Sequence, residues 1–298
     1  MCMSKIDGTN VAFEIKEKLK QDIEDNFYAK NHSAPKLVVI IVGDDPASQV
    51  YVAGKAKACA QVGIASQIFR LQKDTKEREL AKLIRQLNKD KTVDGILLQL
   101  PVPEQINAQK MIDLISPQKD VDGLTKTNLG KLLSNDDSGL FGCTPSGIIT
   151  LLKYYKVDLV GKDVVIINRS LLVGKPLALM FLNENSTVTI CHSKTKNLKE
   201  KTLKADIVVV AIGKKNFLTA DMVKEGAIVV DVGINRDENS KKLCGDADYD
   251  GLFEKCSLIT PVPGGVGPMT ITTLLQNTYK TAIKKHNKKE KIIISKKI

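Results

Sequence analysis

Tyr51 and Lys55 stand four residues apart in the stretch 43–63, GDDPASQVYVAGKAKACAQVG. On a helix they share one face a turn apart, a phenol beside an ammonium. Such a pair holds a planar substrate with one group and moves a proton with the other. The same spacing also suits a half-buried tyrosine beside a solvated lysine, so the surroundings decide. A strand-like apolar run, 37–42, precedes the stretch, and Asp44, Asp45 and Pro46 form a turn that starts a helix. Gln99 is the polar residue in the second half of VDGILLQLPVP (93–103), a run that reads as a parallel strand buried on both faces. In open α/β sheets the carboxyl end of such a strand faces the ligand crevice, and a buried amide there needs partners. Asp120 and Asp122 flank Val121 ahead of Gly123. Alternating carboxylates suggest metal ligation or a single recognition carboxylate, and no nearby His or Cys supports a metal. A carboxylate such as Asp122 accepts paired hydrogen bonds from an amidine-like edge, as on an aminopyrimidine ring.

The elements that must position these groups alternate. Residues 9–27 predict a helix with Val11, Ile15, Leu19 and Ile23 on one face, and Thr9 and Asn10 as caps. A short strand, 67–71, follows the Tyr51/Lys55 helix. Asp74-Thr75 then caps a helix whose Leu80, Leu83, Ile84 and Leu87 make an apolar stripe. Another helix pattern covers 105–115. The first half is thus β-α-β-α-β-α. The second half restarts with a helix at 142–155, followed by strands at 164–168, 187–191, 206–212, 227–232 and 257–260. This order predicts an α/β chain of two domains, the second a doubly wound parallel sheet of the Rossmann type.

The nucleotide loop of that sheet departs from G-x-G-x-x-G. After the first strand comes Asn168-Arg169-Ser170-Leu171-Leu172-Val173-Gly174, with Gly174 near the helix start. The second strand ends in Cys191-His192-Ser193-Lys194, without the acid that usually meets ribose hydroxyls. Arg169, Ser193 and Lys194 suit a ribose 2′-phosphate that an acid would repel, so NADP is expected over NAD. His192 by itself reads as a packed histidine.

Composition excludes several classes. Of 298 residues, 43% are hydrophobic and 27% charged, ordinary for a globular enzyme. No apolar run reaches the length of a membrane span, and the N-terminus lacks a signal-peptide core. The six cysteines lie far apart with no CxxC pair, as expected of reduced thiols in the cytoplasm. The net charge of +11 is concentrated at the end. Residues 280–298 hold eight Lys against one Glu, a net +7, which leaves +4 for the rest. That pattern reads as a solvated tail or helix extension, and no nucleic-acid module accompanies it.

Nine ordered segments carry a resemblance: VGDDPASQVYVAGKAKAC, DGILLQLPVP, KDVDGLTKTNLGKL, CTPSGIITLL, NRSLLVGKPLA, STVTICHSKT, AIGK, GAIVVDVGIN and ITPVPGGVGPMT. Through them the chain resembles the bifunctional methylenetetrahydrofolate dehydrogenase/cyclohydrolases over nearly its whole length. The resemblance implies a folate-binding domain over 1–140, joined by a returning helix at 270–286. It also implies an NADP domain over 141–269, a cleft between the two, and a homodimer. A basic tail over 287–298 has no counterpart in it. It implies oxidation of 5,10-methylenetetrahydrofolate by NADP⁺ and hydrolysis of the methenyl product to 10-formyltetrahydrofolate, as in one-carbon metabolism for purine biosynthesis. Lys55 would be the acid/base of hydrolysis, and Tyr51 would pack on the folate and orient it. Gln99 would bond near Lys55 and the pterin, which Asp122 would anchor. Arg169, Ser170 and Ser193 would meet the dinucleotide phosphates and ribose, with Asn168 and Gly174 in the same loop. Ile234 would offer its backbone near the nicotinamide. Pro261, Gly264 and Gly265 would form a loop close to the ligands. The family commonly has G-R-S where this chain has Asn168-Arg169-Ser170; Asn tolerates left-handed backbone, so the turn is expected to survive. It likewise has G-D-V where this chain has Gly245-Asp246-Ala247, a change expected to touch packing alone. The readings left beside this one are a dehydrogenase without the hydrolytic step and, remotely, a nucleic-acid-binding protein on an enzyme scaffold.

Overall fold

The computed structural model describes residues 4–237 and 242–295. Contacts divide the chain into two compact units, one of Glu14–Phe141 with the chain from Ile271 onward, the other of residues up to Phe13 with Gly142–Thr270. No helix among the described residues is long and apolar enough to cross a membrane.

The first unit is built on a three-stranded parallel sheet ordered Ala65–Leu71, Lys36–Val42, Gly95–Leu98. Its central strand is buried from Leu37 to Val42, which explains the unbroken apolar run. Val38, Ile40, Ile96 and Leu98 pack with Leu80, Ile84 and Leu87 of the Glu77–Lys89 helix. Each such side chain contributes roughly 1.5–3 kcal/mol through burial. This helix starts one or two residues later than the Asp74-Thr75 cap implied, with Lys76 at its N-cap. The backbone amide of Lys76 donates to the Glu79 carboxylate (3.4 Å), so an acid in the first turn replaces the expected cap. The first predicted helix is α-helical over Gly8–Ile23 and continues as a π turn over Glu24–Tyr28. The predicted 105–115 helix narrows to Ala108–Ile112.

Within this unit the C-terminal helix, Val266–Ser295, packs through Tyr279 and His286 on Phe27, with ring centroids 6.0 and 5.0 Å apart. Asn277 donates to the Val121 carbonyl (2.8 Å). The helix continues past His286, so the backbone there follows the helix extension the sequence allowed beside a solvated tail. The tail's side chains beyond 287 and its last three residues lie outside the described residues.

The second unit holds a six-stranded, all-parallel sheet ordered Ser4–Lys5, Leu258–Ile259, Ile228–Asp231, Ile207–Val210, Asp163–Ile167, Thr187–Cys191. It is a Rossmann-type sheet. The N-terminal stretch belongs here, whereas the sequence reading kept 1–140 together. Ser4–Lys5 adds an edge strand, Ile6 donates to the Ile259 carbonyl (2.8 Å) and Thr9 to that of Gly264 (3.0 Å). From Asp163–Ile167 the chain steps outward to Thr187–Cys191 and then back to Ile207–Val210 on the other side. The order of strand addition thus reverses between the Ile167 and Val210 ends, where open α/β sheets place their ligands.

Candidate active site

In the first unit the helix Pro46–Val62 carries Tyr51 and Lys55. Asp45 caps it by accepting from the Ser48 amide (2.8 Å), and Pro46 fills the first turn. Gly63, at φ +83°, ends it in the left-handed conformation. Val52, Cys59 and Val62 face the core, so the helix is fixed in rotation. Tyr51 remains 41% exposed and Lys55 is half-buried.

Lys55 Nζ donates to Gln99 Oε1 at 2.7 Å. Gln99 follows directly on the Gly95–Leu98 strand, its amide bonded to the Ile40 carbonyl (2.8 Å), and its Nε2 donates to the Leu100 carbonyl (2.7 Å). The side-chain amide is held at both ends, with its oxygen turned to the ammonium. Asp120 and Asp122 separate by role. Asp120 is 1% exposed and accepts from the amides of Leu124 (3.2 Å) and Thr125 (2.8 Å) and from Asn128 Nδ2 (2.9 Å), so it builds the turn. Its parallel bridge to Ile96 directs this segment toward the same sheet end as Gln99. Asp122, half-buried, follows on that turn.

In the second unit Asn168 follows Ile167 at the reversal of strand order. It does not use the left-handed backbone the sequence suggested. Its side chain closes the loop instead. Oδ1 accepts from the amides of Ser170 (2.8 Å) and Gly174 (3.0 Å), and Nδ2 donates to the Ala211 carbonyl on the neighbouring strand's loop. Ser170 Oγ accepts from Val173 N (3.1 Å). Gly174, buried, opens the ten-residue helix Gly174–Asn183; a Cβ there would lie 2.2 Å from the Asn168 carbonyl oxygen. Arg169 is exposed beside this helix start. After Thr187–Cys191 the chain turns at once. His192 N donates to Thr195 Oγ1 (2.8 Å), Thr195 N to the His192 carbonyl (2.8 Å), and Lys194 N to His192 Nδ1 (3.2 Å). His192 therefore shapes the turn, leaving Ser193 and Lys194 exposed. Cationic and hydroxyl groups around a helix N-terminus, with no carboxylate in the turn, fit the phosphates of a dinucleotide.

Ile234 is 47% exposed on the loop after Ile228–Asp231. Pro261 and Gly264 are half-buried and Gly265 is buried, with Gly264 at φ +103°. The sequence reading missed the polar frame beneath these loops: Asp231, Asn235 and Asp246. The available signal was an acid closing the apolar strand at 228–231 and another between glycine and alanine at 246.

Asp231 is 3% exposed, and burial pushes its carboxyl up to about 6, against three backbone amides that favour the anion. A folded value above the unfolded one means the folded state holds more protons between pH 4 and 6. This group's contribution is therefore full at low pH and is lost as pH rises through that window. Urea unfolding at pH 4 to 7 should show wild type losing roughly 2 kcal/mol relative to Asp231→Asn. Parallel pH profiles of the two proteins would contradict this.

The folds and loops together define a nucleotide-linked α/β enzyme with a separate lysine-containing unit. Family comparison agrees. Residues 6–122 match the tetrahydrofolate dehydrogenase/cyclohydrolase catalytic domain, and 142–286 the NAD(P)-binding domain of the same family. The chain belongs to this family. It is 51% identical over 282 residues to the bifunctional protein FolD of Bacillus subtilis, covering 95% of this chain and 98% of that one. The crystal structure of the bifunctional dehydrogenase/cyclohydrolase FolD of Campylobacter jejuni is similar at TM-score 0.93 and 49% identity, covering 95% and 99% of the two chains. That of Trypanosoma brucei, complexed with NADP cofactor and inhibitor, is similar at TM-score 0.89 and 33% identity, covering 93% and 96%.

Proposed function

We propose that this chain oxidises 5,10-methylenetetrahydrofolate with NADP⁺ and hydrolyses the resulting methenyl cation to 10-formyltetrahydrofolate. The observation that carries the reading is the Lys55–Gln99 pair, 2.7 Å apart, at the carboxyl end of a parallel sheet in a chain of this family. When bound, the oxidised nicotinamide supplies the hydride acceptor. The hydride leaves a carbon between two nitrogens, so the product cation is stabilised by the substrate itself and the residues mainly align the reactants. Asp122 holds the pterin through its aminopyrimidine edge, and Tyr51 packs on the folate. Hydrolysis needs more. Water adds to the methenyl carbon and loses a proton; the hydroxyl proton of the adduct then moves to the departing nitrogen as the ring opens. Lys55 acts here in its neutral amine form: it takes the proton from oxygen, becoming the ammonium, and returns it to nitrogen, with Gln99 keeping its Nζ in line.

Arg169, Ser193 and Lys194 select the 2′-phosphate, Ser170 and the Gly174 helix start meet the pyrophosphate, and the Ile234 backbone meets the nicotinamide side. Pro261, Gly264 and Gly265 line the folate. The reading includes a homodimer in the cytoplasm that supplies one-carbon units for purine biosynthesis, with no nucleic acid as partner. The experiment is oxidation of methylenetetrahydrofolate with NADP⁺ and NAD⁺ side by side. We expect kcat/KM at least about tenfold higher with NADP⁺, and Arg169→Ala to narrow that ratio by lowering the NADP⁺ value. Equal use of both would remove the 2′-phosphate assignment; no turnover with either would remove the function.

A further inference from the structure

Two chain segments at the carboxyl edge of the second unit's sheet converge on one carboxylate. Asp246 is 0% exposed. Its Oδ2 accepts from the amides of Ile212 (2.6 Å) and Gly213 (3.0 Å), and its Oδ1 from the amide of Lys214 (2.8 Å) and from Asn235 Nδ2 (2.8 Å). Both oxygens are therefore acceptors twice over, as an anion allows and an amide does not. The first three donors form the loop leaving Ile207–Val210; the fourth belongs to the residue after Ile234, on the loop leaving Ile228–Asp231. Asn235 Nδ2 also reaches the Gly245 carbonyl (3.0 Å). Asp246 is itself anchored from behind, its amide donating to Asp231 Oδ1 (3.0 Å) and its carbonyl accepting from Leu218 N (3.0 Å). Asp231 accepts also from Gly233 N (2.8 Å) and Ala247 N (2.8 Å). The approach is close: a Cβ on Gly233 would stand 2.2 Å from the Asp246 carboxyl carbon.

A buried anion that gathers three successive amides of one loop and bridges to another does more than satisfy a fold. Removing it takes the acceptor from three backbone amides and leaves Asn235 Nδ2 with the Gly245 carbonyl, so both loops lose their common reference. One of these loops begins where Asn168 Nδ2 meets the Ala211 carbonyl, and the other presents the exposed Ile234. We propose that Asp246, acting with Asn235, is a positioning residue of the dehydrogenase half: it fixes the 211–214 and 233–235 loops in the relative placement that dinucleotide binding and hydride transfer require. The inference rests on the function proposed above, in which the Ile234 backbone meets the nicotinamide side.

The test uses the full chain as wild type, Asp246→Asn and Asn235→Ala, the second deleting the bridge while sparing the buried carboxylate. NADP⁺ binding is measured by calorimetric titration, oxidation by steady-state kinetics, and hydrolysis with methenyltetrahydrofolate supplied directly. Asp246→Asn should weaken NADP⁺ binding at least about tenfold and lower kcat/KM for oxidation by a similar or larger factor. Asn235→Ala should do both in the same direction by a few fold. Hydrolysis of supplied methenyl substrate should stay within about twofold, a split that mere loss of folded protein does not produce. Oxidation and hydrolysis falling in parallel with the melting temperature would reduce Asp246 to a structural residue. If Asp246→Asn does not fold, Asn235→Ala decides, and unaltered NADP⁺ binding and oxidation in it would overturn the proposal. Failure of the wild type to bind NADP⁺ is a separate result: it would remove the function itself, and this inference with it.

Discussion

Lys55→Met should abolish hydrolysis of supplied methenyltetrahydrofolate, by roughly 10²–10⁴-fold, while oxidation of methylenetetrahydrofolate stays within about tenfold of wild type. Methionine keeps an unbranched chain of similar reach, so the helix face and its packing are preserved, but it has no proton to move. The asymmetry follows from the two steps. Hydride transfer creates a cation the substrate stabilises, so no protein acid is required. Ring opening moves a proton from oxygen to nitrogen, and the Lys55 amino group bonded to Gln99 is the shuttle in this account. Gln99 would lose the donor now held at 2.7 Å but keep its bond to the Leu100 carbonyl, so the loop after the strand should hold. Stopped-flow loss of methenyl substrate checks the first part and NADPH formation the second. An equal fall in both activities would make Lys55 a binding residue for folate, not a proton carrier.

The second large effect falls on the other unit. Gly174→Ala should raise KM for NADP⁺ or abolish its use, by at least about 30-fold in kcat/KM, and leave hydrolysis of supplied methenyl substrate within a few fold. The new methyl would lie 2.2 Å from the Asn168 carbonyl oxygen and 2.5 Å from its carbon, and both are backbone atoms. Relief requires the loop from Asn168 to Gly174 to open, which breaks the bonds from Ser170 and Gly174 to Asn168 Oδ1. Overpacking of this kind costs about 1–3 kcal/mol, here on the segment proposed above to meet the pyrophosphate. Calorimetric titration with NADP⁺ beside the melting temperature separates lost binding from lost fold. Wild-type affinity would mean that the loop has room the geometry does not show.

How much of this was legible depended on whether the signal was local. The Tyr51/Lys55 helix could be read because cap, proline, spacing and terminal glycine are all encoded within its own stretch. Gln99 could be read because it is the polar residue that follows at once on an apolar strand. The separation of Asp120 from Asp122 could not, since both carboxylates look alike until Leu124, Thr125 and Asn128 are seen to turn back on the first. Asn168 was read as a substitute for glycine by backbone freedom; its side-chain bonds to Ser170 and Gly174 are local, but the one to Ala211 depends on a segment 43 residues away in the chain, of which the sequence carries no mark. Two-residue elements such as Ser4–Lys5 and the Asn235–Arg236 pairing with Leu243–Cys244 are too short for any periodicity. The N-terminal edge strand is the clearest case: it forms because the sheet's edge beside Leu258–Ile259 accepts it, a fact of tertiary structure alone.

The central claim is that one chain carries the substrate through both steps. The most direct measurement is a time course of wild type with methylenetetrahydrofolate and NADP⁺, quantifying NADPH, methenyl- and 10-formyltetrahydrofolate in the same samples, with Lys55→Met alongside. The account predicts NADPH and 10-formyltetrahydrofolate rising together in wild type, and NADPH matched by accumulating methenyltetrahydrofolate in the variant. Methenyl accumulation in wild type at the rate seen with Lys55→Met would contradict it, leaving a dehydrogenase whose lysine does no hydrolytic work.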